Sequence, residues 1–264
     1  MTTTSAPFIT EIAGGVATVT LSRPELHNAI DDDVIARLTR ELQGLGRDQV
    51  VRVVILAATG KSFCAGADIN WMKRMAEYGA EENLEDAKAL AGLMFTLGSL
   101  RKPTIAAVQG SAFGGGVGMI AACDIAIAAR DAEFALTEVK LGIIPAAVGP
   151  YIVTALGPRQ ATRYMLTGER FGAERAKELG LVHEVADRAE VLPMAKSLAQ
   201  KLLENGPRAM GEVKNLVRYV IGHELNEALA AQTAGHIARV RASNEGREGL
   251  AAFLEKRKPN WIRK

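Results

Sequence analysis

Along the first two-thirds of the chain, short β-branched apolar runs alternate with stretches where apolar residues recur every three or four positions. "VATVTL" (Val16–Leu21), "VRVVILAA" (Val51–Ala58), "TIAAVQG" (Thr104–Gly110) and "DIAIAA" (Asp124–Ala129) are short and bounded by glycine, proline or polar residues. Each is expected to be a strand. Between the first two, "DDDVIARLTRELQGL" spaces Val34, Ile35, Leu38, Leu42 and Leu45 at helical intervals behind three aspartates. Acidic residues suit the positive N-terminal end of a helix. A second helix is expected over Asn83–Leu100, with Leu90, Leu93, Met94, Leu97 and Leu100 as its apolar stripe. Strands alternating with helices predict an α/β class. No sequence repeat accompanies the alternation.

After about Leu192 the strand pattern stops. "LPMAKSLAQKLLEN", "PRAMGEVKNLVRYVIG" and "HELNEALAAQTAGHIARVRA" are helical runs separated by Gly-Pro and Gly-His breaks. A last helix is expected behind Ser243 or Asn244 as N-cap, with Pro259 as its stop. The chain therefore divides into residues 1–192, an α/β core, and residues 193–264, an all-helical region that forms a separate lobe or an oligomer surface.

Composition narrows the function. The 264 residues are 48% hydrophobic and 23% charged, enough to bury a core without disulfide or metal staples. A net charge of +2 gives no support to a nucleic-acid partner, and the basic tail "EKRKPNWIRK" has no aromatic platform beside it. Two cysteines without paired spacing, Cys64 and Cys123, and unclustered histidines point to a reduced, cytoplasmic setting and away from a metal site. The N-terminus "MTTTSAPFIT" has no signal-peptide pattern, and no apolar run is long enough for a membrane span.

Two glycine-rich elements carry the candidate chemistry. "GKSFCAGADI" (Gly60–Ile69) follows the second strand, and its small residues Ala65, Gly66 and Ala67 let a ligand lie against bare backbone. Alone, it is equally a loop of small residues that packs tightly. "SAFGGGVGM" (Ser111–Met119) follows the third strand and opens a helix. Gly116-x-Gly118-x-x-Ala121 matches a dinucleotide fingerprint, with Glu138 about 20 residues on. That match is poor: "QGSAF" separates the glycines from the strand, and Glu138 lies well past the end of the next one. Taken together, the two loops offer something better. Each supplies an unhindered N–H after a strand, and two converging N–H groups make an oxyanion hole for a carbonyl gaining negative charge.

These pieces carry a resemblance. "LSRPELHNAI", "SFCAGADI", "AAVQGSAFGGGVGM", "CDIAIAARDAEFALTEVKLGIIP", "LTGERFGAERAKELGLVHEV" and "FLEKRKP" occur in one order over nearly the whole chain. In that order the chain resembles the enoyl-CoA hydratase/isomerase (crotonase) superfamily. The resemblance implies a spiral of ββα units with a helical C-terminal region and a homotrimer or dimer of trimers. It implies an acyl-CoA thioester as substrate, and no cofactor beyond the coenzyme A that the substrate carries. By position it implies Ala65 and Gly115 as oxyanion-hole donors. Leu26, Ala29 and the segment Ala65, Gly66, Ala67, Asp68 and Ile69 would line the coenzyme A path, and Phe253 and Lys256 would reach the coenzyme A of a neighbouring subunit.

The chain departs from the pattern at one position. Family hydratases carry two glutamates beside the substrate double bond; the second falls at Glu138 and the first at Gly118. A glycine there is expected to leave room for a branched or carboxylated acyl group. "FGGGVG" with "TEV" and "IIPA" resembles bacterial hydratases of 3-methylglutaconyl-CoA and related branched units of leucine breakdown. Hydration with Glu138 as acid and base is the leading expectation. Double-bond isomerisation by one glutamate is the alternative, and an acyl-CoA-binding protein without catalysis is a third. Cys64 is expected as a small buried residue, Asp68 as the cap of the helix holding "INWMKRM", and Trp71 and Met72 as core or as the acyl-pocket wall.

Overall fold

The computed structural model describes residues 6–262. Its elements run β1 (Phe8–Ala13), β2 (Val16–Leu21), α1 (Asp32–Arg47), β3 (Val53–Ala58), β4 (Ser62–Cys64), α2 (Ile69–Met75) and α3 (Ala80–Ser99). Then come β5 (Thr104–Val108), β6 (Ser111–Phe113), α4 (Gly115–Ala122), β7 (Ile125–Ala129), β8 (Glu133–Ala135) and α5 (Gly149–Thr167). The remainder is β9 (Phe171–Gly172), α6 (Ala173–Glu178), β10 (Glu184–Ala186), α7 (Val191–Leu203), α8 (Pro207–Ile221), α9 (Glu227–Ala242) and α10 (Asn244–Leu254).

The four strands expected from sequence are β2, with the expected bounds, and β3, β5 and β7, each one or two residues shorter. They form the middle of a six-stranded sheet ordered β1-β2-β3-β5-β7-β10, parallel except for the β1–β2 hairpin. β3 and β5 are buried almost throughout, as parallel strands covered on both faces are. α1 begins where the aspartates place it: Asp31 is the N-cap and accepts a hydrogen bond from Val34 N at 2.9 Å. The apolar residues named for α1 are all buried.

The second sheet has no counterpart in the hydrophobic pattern. Its four strands, ordered β4-β6-β8-β9, are two or three residues long. Each of β3, β5 and β7 is followed by a short strand of this second sheet and then by a helix, so the ββα unit recurs three times without a sequence repeat. β4, β6 and β8 are parallel neighbours, with Cys64 beside Ala112 and Phe113 beside Ala135. Their C-terminal ends therefore lie side by side, and the three loops that follow converge.

The chain divides into two compact units. One runs to Leu100 and from Thr104 to Ala199; the other takes Arg101–Pro103 and the chain from Gln200 onward, so the division falls inside α7. In the second unit α8 starts at Gly206 without a side-chain cap of its own. Glu245 of α10 supplies one, accepting from Arg208 N at 3.0 Å and Ala209 N at 2.7 Å. Ser243 caps α10 through Gly246 N, as the sequence suggests.

Candidate active site

The first loop of the site is Ala65–Asp68, leaving β4. It is held from below by Leu26–Ile30. Asn28, in the left-handed region at φ 54°, is 3% exposed and satisfies its side chain completely. Its amide donates to the carbonyls of Thr59 and Ser62 at 2.8 and 2.9 Å and accepts from Arg23 N at 2.9 Å. Arg23 also pairs with Asp31 at 2.8 Å and with Asp68 at 3.3 Å. Asp68 caps α2, accepting from Asn70 N at 2.8 Å and Trp71 N at 3.3 Å. One arginine thus joins the cap residues of α1 and α2 across the loop. Trp71 is core, with its indole N–H donating to Asp86 at 2.9 Å.

The backbone of this loop distinguishes its alanines. Ala65 N donates to His27 O at 3.0 Å, so the donor expected there already has an acceptor. Ala67 is bridged in parallel to Ile30, and the bridge uses its neighbours: Ile30 N donates to Gly66 O and Asp68 N to Ile30 O, both at 2.8 Å. The N–H of Ala67 itself faces the other way and has no acceptor among the described residues. Gly66 stands between the alanines at φ 94°, which reverses the side to which successive N–H groups point. Spacing along the sequence gave no sign of that reversal.

The second loop is Gly114–Gly115, leaving β6. Gly114 N is anchored on Ala135 O at 3.0 Å. Gly115 begins α4, where the first N–H groups lack intrahelical acceptors. Its N–H has no acceptor among the described residues. Ile30 links this loop to the first: Cδ1 of Ile30 lies 3.0 Å from where a β-carbon of Gly115 would stand. Ala67 and Gly115, the two residues with open N–H groups, therefore both adjoin Ile30.

The third loop leaves β8 and delivers Glu138 at the start of a 3₁₀ turn, Glu138–Leu141. Oε1 lies 3.0 Å from the position of a β-carbon on Gly114. Oε2 is buried and has no hydrogen-bond partner among the described residues. Burial pushes the carboxyl above its ordinary value of 4.5, and a hydrogen bond from its own backbone amide only partly opposes this. A carboxyl held in this way suits proton exchange better than ion pairing.

Gly118 departs from expectation. It is buried on α4, and the room foreseen beside it is filled. A β-carbon at Gly118 would lie 2.6 Å from Cβ of Val148 and 3.4 Å from Sδ of Met94. The Val148 isopropyl group, in the residue before α5, stands where an acyl branch was expected.

The other candidates divide by place. Leu26 and Ile69 expose their side chains beside the first loop, and Ala29 is buried under it. Phe253 and Lys256 belong to the second unit, at the end of α10, with Phe253 80% exposed. Cys64 is fully buried and its thiol is pushed up to about 12 by burial, which leaves no thiolate for chemistry. Among the described residues no group of three or more His, Cys, Asp or Glu side chains is placed to hold a metal ion, and no helix is long and apolar enough to cross a membrane.

Two open N–H groups, at Ala67 and Gly115, and the half-buried Glu138 carboxyl thus stand in the loops that leave the neighbouring strands β4, β6 and β8. The sequence model of the enoyl-CoA hydratase/isomerase family matches residues 11–264. The chain belongs to the enoyl-CoA hydratase/isomerase family. The crystal structure of an enoyl-CoA hydratase from Shewanella pealeana superposes with a TM-score of 0.94 at 44% identity, covering 97% of this chain and 96% of that one. The 2,3-dehydroadipyl-CoA hydratase of Escherichia coli is 33% identical over 93% of this chain and 94% of its own length. The crotonyl-CoA hydratase of Syntrophomonas wolfei is 34% identical over 94% and 95%. This chain is an enzyme with the crotonase fold, and Glu138 sits where the three ββα units bring their loops together.

Proposed function

We propose that the enzyme adds water across the double bond of a 2-enoyl-CoA, with Glu138 as both base and acid. The observation that carries this reading is the Glu138 carboxyl beside Gly114, buried and unpartnered at Oε2. The thioester oxygen is held by the N–H groups of Ala67 and Gly115; Ala67 replaces Ala65 in this role because Ala65 N is bonded to His27 O. Glu138 takes a proton as the water oxygen bonds to Cβ, and the thioester becomes an enolate in the oxyanion hole. The same carboxyl then returns the proton to Cα, so one water is added and Glu138 is regenerated. No cofactor takes part, since coenzyme A arrives on the substrate.

Leu26, Ala29 and the segment Ala65–Ile69 are proposed to line the coenzyme A path. Phe253 and Lys256 are proposed to meet the coenzyme A of a neighbouring subunit in a homotrimer or dimer of trimers. The exposed side chains of Leu141, Ile143 and Ile144 support such an assembly. The acyl group is proposed to be short, branched or carboxylated, such as 3-methylglutaconyl-CoA. The Escherichia coli relative, named for a carboxylated acyl-CoA, supports that class. Because Val148 fills the space at Gly118, any branch is accommodated elsewhere in the site. A cytoplasmic location rests on cysteine usage alone.

A second reading is favoured by the apolar side chain that fills the position of Gly118. With Val148 rather than an acid on that face, one carboxyl moving a proton between two carbons would isomerise an enoyl-CoA. The test is a panel of enoyl-CoA esters (crotonyl-, tiglyl- and 3-methylglutaconyl-CoA, with 3-enoyl isomers) followed by chromatographic separation of isomers and mass detection. Hydrated products carrying one water support the first reading. A shifted double bond with no mass change supports the second, and no conversion of any ester overturns both.

A further inference from the structure

We propose that Val148 is a positioning residue for Glu138: its side chain, seated on Gly118, walls off the face of α4 next to the carboxyl and keeps water and any second acid out of it. The inference rests on the reading of Glu138 as the acid–base group.

The argument starts from the periodicity of α4. Gly118 N donates to Gly114 O at 3.1 Å, so the two glycines are one turn apart, about 6 Å along the axis. The Glu138 carboxyl covers the first of them and the Val148 side chain covers the second. Neither glycine has a side chain to separate what lies above it. Carboxyl and isopropyl group therefore pack onto positions one helical turn apart at the start of α4. Val148 is 2% exposed, so it stands as a wall and not as a flap.

The surroundings leave burial in charge of this carboxyl. α4, "GGVGMIAA", carries no charged residue. The charged residues of α5 are Arg159 and Arg163, more than two turns from Val148, and Arg163 is paired with Glu169 at 2.7 Å. On β8, Glu133 is paired with Arg170 at 3.0 Å. On its own turn, Lys140 is exposed and lies against Gly168. No charged side chain accounts for the upward displacement of Glu138; burial does. Val148, buried and one helical turn along α4 from the Gly114 position that the carboxyl covers, is an apolar side chain able to contribute to that burial.

The experiment reads Glu138 directly. The carboxylic acid stretch is followed by infrared difference spectroscopy across pH, as wild type minus Glu138→Gln, and then with Val148→Thr, Val148→Gly and Val148→Ile in the same subtraction. Val148→Thr keeps the volume and introduces one hydroxyl; Val148→Gly opens the wall. Both are expected to move the midpoint down toward 4.5, while Val148→Ile keeps it. The acid limb of kcat/KM is expected to move with the midpoint. Midpoints unchanged in the Thr and Gly variants, with only melting temperature lowered, would show that Val148 merely packs and would overturn the proposal. If Val148→Gly does not fold, Val148→Thr decides alone. The spectrum needs no substrate, so failure of the hydratase reading appears separately, as absent turnover with the titration shift intact.

Discussion

The carboxyl of Glu138 lies against the backbone of Gly114, with Oε1 3.0 Å from the place a β-carbon would take. Gly114 also adopts φ 49°, so two independent constraints fall on one residue. Gly114→Ala is expected to lower stability by about 1–2 kcal/mol through backbone strain. It should also displace Glu138 and cost activity beyond what unfolding explains. Denaturant titration alongside kcat at a fully folding temperature separates the two effects. Unchanged kcat in a folded variant would contradict the placement of Glu138.

Gly118 and Val148 are expected to be coupled. Gly118→Glu alone puts a side chain into the Val148 isopropyl group, an overpacking that costs on the order of 1–3 kcal/mol. Val148→Gly alone leaves a cavity. The double variant relieves the first with the second, so the sum of the single losses should exceed the double loss by about 1 kcal/mol or more. Additive losses would show that the two positions do not meet.

The loop beneath the thioester depends on Asp68. Asp68→Ala removes the N-cap of α2 and one partner of Arg23. A loss of about 1–2 kcal/mol is expected, with a raised KM because the Ala67 N–H is no longer fixed. Asp68→Asn keeps the cap and should recover most of the stability. Comparable loss in both variants would point to the ion pair instead.

Glu138 should cost the protein stability at neutral pH. Its folded-state value lies above 4.5, so the folded enzyme holds the proton more tightly than the unfolded chain does. Stability then falls as pH rises from 4.5 through the raised value, by the usual proton linkage. Glu138→Gln is therefore expected to melt higher than wild type above that window and to match it below 4.5. Thermal melts at pH 4 and pH 8 check the sign; a variant less stable than wild type at pH 8 would contradict it.

The larger elements were legible because they are long enough to show a period. α1, with Asp31 as cap and five buried apolar residues, and the strands β3 and β5 are read directly from spacing. The second sheet was not, because three residues such as Ser62–Cys64 carry no period. Yet that sheet aligns the three loops of the site. Of the site itself, the glycine run and Glu138 were legible as residues, and Asp68 as a cap. Which alanine offers its N–H was not: the answer depends on Gly66 at φ 94° and on pairing with Ile30, 37 positions upstream of Ala67 (67 − 30). Nor was the filling of Gly118, since Val148 arrives from beyond the 3₁₀ turn.

The central claim is that Glu138 alone carries the proton transfers. The direct measurement is turnover of the best ester of the panel by wild type and Glu138→Gln in deuterium oxide, with mass detection of the product. Wild type is expected to form a hydroxyacyl-CoA with one deuteron at Cα, and the variant, folded and more stable at neutral pH, to lose about 10²–10⁴-fold in kcat. Turnover by the folded variant within threefold of wild type would contradict the claim.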